Sequence, residues 1–248
     1  MIQITSIRIS DDIRLYNDLS AVILEAIADN QIEIQNDDIL VVTHKIVSKA
    51  EGRIVDLARI KPSTKAIRMA KEHDKDPRVM ELILKESIQI LRAKNGIIIS
   101  ETKHGFVCAN AGVDQSNVEG DTAVLLPVAP DESASRLQDA VKKKVGKEIA
   151  VVITDTFGRT FRNGQTNVAI GIAGINPIKS YIGTYDMYGR KLRVTEIAVA
   201  DEIASAAELV MGKAEGTPVA IVRGYNFEKP SISSVKSLLR AKERDLFR

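Results

Sequence analysis

The spacing of hydrophobic positions changes along the first third of the chain, and each change predicts a new element. Apolar residues that alternate with polar ones predict a strand, whereas apolar residues three or four apart predict a helix. By these rules we expect strands at 2–9 and 38–43, and helices at 17–29 and 62–86. The pair Asp76-Pro77 predicts a break in the 62–86 helix, because proline interrupts a helix.

Strands and hairpins are expected to dominate the middle of the chain, from residue 87 to residue 128. Asn95-Gly96 lies between two apolar segments of this region and predicts a tight hairpin turn. Further on, we expect a helix at 131–145, a strand that ends at Asp155, a strand-rich portion at 166–195, a helix at 196–211, a strand at 218–224 and a helical tail at 231–248.

The predicted helices and hairpins do not alternate regularly along the chain. This order favours an α+β protein, with mixed or antiparallel sheets and packed helices, over a doubly wound sheet. A chain of 248 residues is long enough for one large domain. We expect a single unit over 1–248, with two lobes that comprise roughly 1–86 plus 190–248, and 87–189.

Composition narrows the functional classes. Lysine and arginine number 35 against 33 aspartates and glutamates, so the charge gives no general argument for nucleic acid or an anionic membrane as a partner. An aromatic content of 4% and the absence of tryptophan disfavour a stacking surface for single-stranded nucleic acid. Cys108 is the one cysteine, which excludes an internal disulfide and favours a reducing cytoplasm. No secretory leader or membrane-spanning apolar run is apparent.

The common phosphate and metal signatures are absent from the sequence. There is neither a G-x-x-x-x-G-K-[ST] loop nor a G-x-G-x-x-G turn after a strand, and no C-x-x-C or H-E-x-x-H motif. The three histidines are not spaced as metal ligands. A site for a phosphorylated or metal-bound ligand must therefore be assembled from other segments.

The segment VVITDTFGRTFRNGQTNVAIG is the most informative of these. A buried strand at 149–153 is predicted to deliver the carboxylate of Asp155 and the hydroxyls of Thr154 and Thr156 to its open end. Oxygen ligands of this kind suit magnesium or manganese, and the guanidinium groups of Arg159 and Arg162 suit phosphate or carboxylate. The alternative is that the polar residues simply cap a turn.

A second acidic segment, NAGVDQSNVEGD, follows another predicted strand at 110–121. It contains Asp114 and Asn117 within a short polar loop. By itself such a loop is more often a solvated surface feature. Two carboxylate-bearing loops after two strands are nevertheless able to share one or two divalent ions.

Two further segments suit a nucleotide. In THKIVSKAEGR at 43–53, Lys45 and Lys49 are four residues apart and lie on one helical face, where they would attract a polyphosphate. An ordinary basic surface is the alternative. The segment MGKAEGTP at 211–218 forms either a helix C-cap and turn or a backbone wrap around a nucleotide base.

A cluster of tyrosines and arginines occurs in YDMYGRKLRV, after the strand-rich portion. Its members, Tyr185, Tyr188, Arg190 and Arg193, form either a binding surface for a planar or anionic substrate or a packed strand turn.

Taken in order, these segments resemble one family, the coenzyme F420 gamma-glutamyl ligases, also called coenzyme F420-0:L-glutamate ligases. The matching strings run along nearly the whole chain: SKAEGR at 48–53, NAGVDQSNV at 110–118, ITDTFGR at 153–159, FRNGQTNVAIG at 161–171, YGR at 188–190, VADEIA at 199–204 and VRG at 222–224. No single string is decisive, but the ordered set is specific.

The resemblance implies a GTP- and divalent-metal-dependent ligase with an α+β fold. Such enzymes add L-glutamate to the deazaflavin precursor coenzyme F420-0 and then join a second, gamma-linked glutamate, through an acyl phosphate. The resemblance also implies a cytoplasmic homodimer, with Mg²⁺ or Mn²⁺ in two sites and K⁺ as a further cation.

The resemblance also assigns residues. By the matching motif positions, Asp114, Asp155 and Thr156 would bind the metal. From the chemistry of phosphoryl transfer, rather than from the resemblance, we expect Lys49, Arg159 and Arg162 to stabilise charge. The residues expected on the nucleotide are Ser10, Asp11, Asp12, Ile13, His44, Lys45, Lys49, Asn117, Met211, Gly212, Lys213, Ala214, Glu215, Gly216, Thr217 and Pro218. Two segments depart from the family pattern, since the turn at 10–13 is more acidic and the loop at 211–218 is shorter and poorer in glycine.

Two alternative functions use the same residues. A metal-dependent phosphohydrolase would employ the same carboxylates with water as the nucleophile. A non-catalytic nucleotide-binding regulator would bind tightly without turnover.

Overall fold

The computed structural model describes residues 1–10, 13–15 and 18–246. The strands and helices in the first half of the chain are β1 (Gln3–Ile7), α1 (Leu19–Asp29), β2 (Ile39–Thr43), α2 (His44–Ala50), β3 (Ile54–Asp56), α3 (Thr64–Glu72), α4 (Pro77–Glu86), β4 (Ser87–Lys94), β5 (Ile97–Thr102), β6 (Val107–Ala109) and β7 (Thr122–Val124). Those in the second half are α5 (Pro130–Val145), β8 (Ala150–Arg159), β9 (Arg162–Ala173), β10 (Lys179–Ser180), β11 (Glu196–Ile197), α6 (Val199–Met211) and β12 (Val219–Arg223).

A mixed sheet in the order β1-β12-β2-β8-β9 forms the centre of the molecule. Strands β2 and β8 run parallel, and the other neighbours in this sheet run antiparallel. The apolar run from Ala150 to Ile153 on β8 is fully buried, as expected for an interior strand with both faces covered. These features confirm the predicted α+β class.

The edge strand β9 is closed off by the N-terminal turns of two helices. Asp131 at the start of α5 accepts a hydrogen bond from the backbone N–H of Ile172, and Asp201 at the start of α6 accepts one from Ala169. Gly171 allows the close approach, because a Cβ there would lie 2.6 Å from backbone atoms of Pro130. Backbone donors of the edge strand are thus satisfied by the helices that pack on it.

A second, smaller core lies beside the central sheet. It is enclosed by α3, α4, the pair β3-β7 and the sheet β4-β5-β6, and its buried members include Leu57, Met80 and Ile98. Most buried residues of 54–125 pack in this second core, although Phe106 packs in the main one, and we propose 54–125 and the remainder as the two lobes. The predicted boundaries divide the molecule differently, since a lobe of 87–189 would separate β8 and β9 from β2 and β12 within one hydrogen-bonded sheet.

Several predicted elements are confirmed. The 62–86 region forms two helices separated before Pro77, and Asn95-Gly96 connects β4 to β5 with both residues at positive φ. Residues 39–43, 130–145 and 219–223 form the expected strand, helix and strand.

Three local predictions were wrong. Strand β8 continues past Asp155 to Arg159, because β9 folds back and pairs with it over its whole length. Residues 196–197 pair with 179–180 as strands, so the helix begins only at Val199. The described part of the tail contains the short 3₁₀ segments Val235–Leu238 and Lys242–Arg244 where a helix was expected.

Among the described residues, no helix combines the length and apolar character needed to cross a bilayer.

Candidate functional site

A cavity of about 800 Å³ opens where the β2–α2 junction, β8, β9 and two loops meet. Its walls contain most of the residues that the sequence singled out. They are Ile9, Ile13, Thr43, His44, Lys45, Ile46, Lys49, Asp114, Ser116, Asn117, Thr154, Asp155, Thr156, Gln165, Asn167 and the whole loop 211–218. A volume of this size suits a ligand as large as a nucleotide.

Asp155 enters the cavity from the middle of β8. The parallel pairing of β2 with β8 ends at Thr43 and Thr154, so Asp155 is the first residue of β8 beyond that partner. One carboxylate oxygen accepts a hydrogen bond of 2.7 Å from the backbone N–H of Thr156 and lies 3.2 Å from Nε2 of His44. His44 is only 2% exposed, so it anchors the carboxylate from inside the protein and offers little surface to a nucleotide.

Asp114 reaches the cavity from the loop at 110–121. Its backbone is fixed by two hydrogen bonds with Val124, and Lys45 Nζ lies 2.7 Å from its Oδ2 atom. Burial alone would raise the pKa of Asp114, but the hydrogen bonds from Lys45 and Ser116 outweigh it and hold the pKa below its usual value. The group therefore stays a carboxylate at neutral pH.

Thr156 lies deeper in the same wall, opposite Asn167 on β9. Its hydroxyl donates to Oδ1 of Asn167 at 2.8 Å and accepts a hydrogen bond of 2.9 Å from Nζ of Lys213. The Lys213 ammonium also reaches Asn167 Oδ1 at 3.1 Å. In addition, Asn117 Nδ2 donates to the carbonyl of Lys213 at 3.4 Å, so the two loops contact each other.

The predicted nucleotide residues divide into three groups. Ile13, His44, Lys45, Lys49, Asn117 and all of 211–218 line the cavity. Ser10 is exposed and does not line it, although the neighbouring Ile9 N–H donates to the carbonyl of Gly216 at 3.0 Å. Asp11 and Asp12 lie outside the described residues.

Arg159 and Arg162 do not line the cavity. Both lie at the exposed tip of the β8–β9 hairpin, and the guanidinium of Arg159 donates to the backbone carbonyl of Asn163. They lie there because β8 and β9 continue as paired strands beyond Asp155, so the turn between the two strands is distant from that carboxylate. The position of the two arginines gives no support to their predicted role in charge stabilisation.

Two other candidate functional features, Cys108 and the tyrosine–arginine cluster, do not line the cavity. Cys108 is buried on β6, where burial, and then the charge of Asp155, raises the pKa of its thiol to about 12. This agrees with a buried strand residue rather than a nucleophile. The tyrosine–arginine cluster lies on an exposed segment at 181–195, and Tyr185 and Tyr188 are both largely solvent-accessible.

Sequence analysis missed several residues of the cavity wall. Asn167 faces Thr156 across the hairpin, and no role was predicted for it. Thr154, in contrast, was expected here, and its buried hydroxyl oxygen has no hydrogen-bond partner among the described residues. The string FRNGQTNVAIG pointed to this region of the chain. Which residues face each other across two strands depends on the register of their pairing, and the spacing of apolar residues alone did not determine that register.

The cavity wall contains oxygen donors of the kind that divalent ions bind. Asp114 and Asp155 present carboxylate oxygens to one cavity, and the hydroxyl of Thr154 lies in the same wall. In the part of the chain that the structure describes, no group of three or more His, Cys, Asp and Glu side chains is arranged to hold a metal. An ion at this place would take its remaining ligands from water or a phosphate, as Mg²⁺ commonly does.

The fold and the cavity together define an α+β protein with an acid- and lysine-lined site for an anionic ligand. Residues 7–224 match the model of the F420-0:gamma-glutamyl ligase family. The chain belongs to this family, which confirms the resemblance drawn from its motifs.

Three relatives, each named coenzyme F420:L-glutamate ligase, are similar over most of the chain. The protein of Methanothermobacter thermautotrophicus is 47% identical, covering 94% of this chain and 93% of its own length. That of Methanocaldococcus jannaschii is 45% identical, covering 88% and 87%. That of Methanopyrus kandleri is 42% identical, covering 100% and 98%.

Proposed function

We propose that this protein is a ligase that joins L-glutamate to the deazaflavin precursor coenzyme F420-0, with GTP as the co-substrate. Relatives named coenzyme F420:L-glutamate ligase match most or all of the chain. The observation that carries the proposal is that Asp114 and Asp155, remote in sequence, line one cavity with Lys45 and Lys49. Carboxylates beside ammonium groups are what a metal-bound polyphosphate requires.

Asp114 and Asp155 would hold a Mg²⁺ or Mn²⁺ ion. Such an ion, when bound, would neutralise charge on the phosphates of the nucleotide. Asp114 remains ionised because Lys45 and Ser116 hydrogen-bond to it, and Asp155 is oriented by His44 and by the N–H of Thr156. Thr156, the third predicted ligand, fits a divalent ion less well. Its hydroxyl is neutral and already contacts Lys213 and Asn167, whereas Asp114, which also contacts an ammonium, offers a charged carboxylate. The predicted K⁺ stays a prediction.

The reaction follows from the weak electrophilicity of a carboxylate. A carboxylate oxygen of the precursor would attack the terminal phosphorus of GTP, with departure of GDP and formation of an acyl phosphate. The glutamate amine would then attack the acyl carbon and release phosphate. Lys45 and Lys49, on one side of α2, would stabilise the negative charge on the phosphates. Addition of a second, gamma-linked glutamate would repeat these steps at the new terminus.

The loop at 211–218 would contact the nucleotide through its backbone. Gly212 and Gly216 have positive φ values, which give this loop its curvature around the cavity. Such a backbone wrap does not by itself separate guanine from adenine. We propose GTP because of the resemblance to the family, and a binding competition between GTP and ATP tests this choice of nucleotide.

We also propose that the protein forms a homodimer through the exposed segment 181–195. Tyr185, Met187, Tyr188 and Val194 are all largely exposed there, an unusual concentration of large apolar side chains for a monomer surface. Light scattering after size exclusion tests this directly, and a monomer at micromolar concentration would contradict it.

One incubation tests the ligase proposal. Purified protein is mixed with the precursor, L-glutamate, GTP and Mn²⁺, and the products are analysed by mass spectrometry. We expect the precursor to gain one or two glutamyl units, with stoichiometric release of GDP and phosphate. GTP hydrolysis that is indifferent to glutamate and precursor would favour the phosphohydrolase, and tight binding without turnover would favour the regulator.

A further inference from the structure

Lys213 carries a positive charge to the hydroxyl of Thr156, one of the three side chains that were predicted to bind metal. Its Nζ atom lies 2.9 Å from Oγ1 of Thr156 and 3.1 Å from Oδ1 of Asn167. Oε1 of Glu208 lies 3.2 Å from the same nitrogen. An ammonium has three N–H donors, and these three oxygens match them.

The oxygens that surround the ammonium belong to three elements of the core. Thr156 is on β8, Asn167 is its cross-strand partner on β9, and Glu208 is on α6. The side chain of Asn167 is buried and 2% exposed, so its carbonyl oxygen is held in place. The position of the ammonium is thus defined by the sheet and a helix, although Lys213 itself lies on a loop.

A divalent ion and this ammonium cannot both bind Thr156. A Mg²⁺ ion lies about 2.0–2.1 Å from each of its ligand oxygens. Because Nζ of Lys213 is within hydrogen-bond distance of the same hydroxyl oxygen, the two cations would be close neighbours and would repel each other. Lys213 would have to leave before an ion could bind there.

We propose that Lys213 is itself the second cation of the site, so that each site binds one divalent ion, held by Asp114 and Asp155. This inference rests on the metal- and GTP-dependent ligase proposed above. The ammonium lies in the wall of the same cavity, where its charge can attract the phosphates of a nucleotide without giving up these contacts. The loop at 211–218 therefore supplies a charge as well as its backbone.

Electron paramagnetic resonance of Mn²⁺ tests the proposal without measuring turnover. Two ions that share a site lie about 3.5–4 Å apart and couple magnetically, whereas a single ion gives the hyperfine pattern of an isolated centre. Wild-type protein is titrated with Mn²⁺ in the presence of a non-hydrolysable GTP analogue, against a protein-free blank. We expect one bound ion per chain and an uncoupled spectrum.

The variant Lys213→Gln supplies the comparison, because an amide oxygen replaces the ammonium at similar length. We expect it to bind a second Mn²⁺ and to show a coupled spectrum. Lys142→Gln is the matched control, since Lys142 is comparably exposed but pairs with Glu148 near the C-terminal end of α5 and does not line the cavity. It should behave as the wild-type protein does.

Three results would overturn the inference, and they differ in what else they affect. A coupled pair of ions in the wild-type protein would remove the role of Lys213 and leave the proposed ligase intact. A single uncoupled ion in Lys213→Gln would show that the ammonium does not exclude the second ion. If no Mn²⁺ binds to the wild-type protein with the analogue present, the proposed metal site fails as well.

Discussion

The cavity has two walls of different construction. The sheet wall consists of Asp155, Thr156 and Asn167 on β8 and β9, and their positions follow from a continuous hydrogen-bonded ladder. The loop wall consists of residues 110–121 and 211–218, which lie in irregular backbone and 3₁₀ turns. The same cavity therefore combines a rigid side with a side held by a few polar contacts.

This difference suggests that the two walls respond differently to a ligand. The sheet wall rests on fully buried residues such as Val152 and Ile153, so side chains there keep their geometry before any ligand arrives. The loop wall depends on contacts between charged or amide groups, such as Lys45 with Asp114 and Asn117 with Lys213. We expect the loop wall to adjust when a ligand binds and the sheet wall to stay unchanged.

The largest expected effect comes from Asp155→Asn in the sheet wall. The change is nearly isosteric but removes the carboxylate that would hold the metal. We expect glutamyl transfer to fall by at least about 100-fold, while the melting temperature changes little. Steady-state assays and calorimetry measure the two quantities. Asp29→Asn, on the exposed surface of α1, is the control and should retain full activity.

Asn167→Ala should cost stability as well as activity. It removes the acceptor for Thr156 and Lys213 from a buried position, which leaves polar groups without their partner. We expect the free energy of unfolding to fall by about 1–3 kcal/mol in urea titrations. The exposed Asn163→Ala, at the tip of the same hairpin, should change it by less than about 0.5 kcal/mol. Equal effects of the two variants would contradict the idea of a rigid sheet wall.

The pH dependence of stability tests the loop wall. The pKa of Asp114 is lower in the folded protein than the ordinary value of 3.8 for an aspartate, so its ionised form stabilises the fold above that pH. This contribution is lost as the pH falls from the unfolded value through the folded one. We expect Asp114→Asn to reduce the loss of stability below about pH 4. Lys45→Met should do the same, because it removes the ammonium whose hydrogen bond to Asp114 lowers the pKa of that carboxyl. An unchanged acid profile in both variants would argue against this pairing in solution.

The smallest effect is expected from Asn117→Gly, which breaks the contact between the two loops. Glycine is chosen because Asn117 has a φ of 56°, which alanine would adopt only with strain. Loss of one exposed hydrogen bond should weaken binding of a GTP analogue by about 2- to 12-fold, corresponding to about 0.5–1.5 kcal/mol. Calorimetric titration measures this. An effect as large as that of Asp155→Asn would show that the loop wall is as fixed as the sheet wall.

The sequence predicted the sheet wall and the loop wall unequally well. The apolar run before Thr154 predicted a buried strand, and the two acidic segments were correctly expected to face one cavity. The strand's true end, at Arg159, was missed because a polar hairpin has no apolar spacing to reveal its pairing. For the same reason Arg159 and Arg162 were expected near the ligand, and Asn167 received no role.

Lys213 shows a further limit of sequence analysis. It was included with its whole loop as a nucleotide residue, but its contact with Thr156 depends on three elements that are distant along the chain. Hydrophobic spacing does not encode such contacts between polar groups. They become visible only when the register of β8 with β9 and the position of α6 are known.

The central claim is that two remote acidic segments share one ion beside a nucleotide. Crystals grown with Mn²⁺ and a non-hydrolysable GTP analogue test it through the anomalous scattering of manganese. The account predicts one peak, within about 2.5 Å of carboxylate oxygens of both Asp114 and Asp155, with the Lys213 ammonium still on Thr156. Separate peaks at the two carboxylates, or no peak between them, would contradict it.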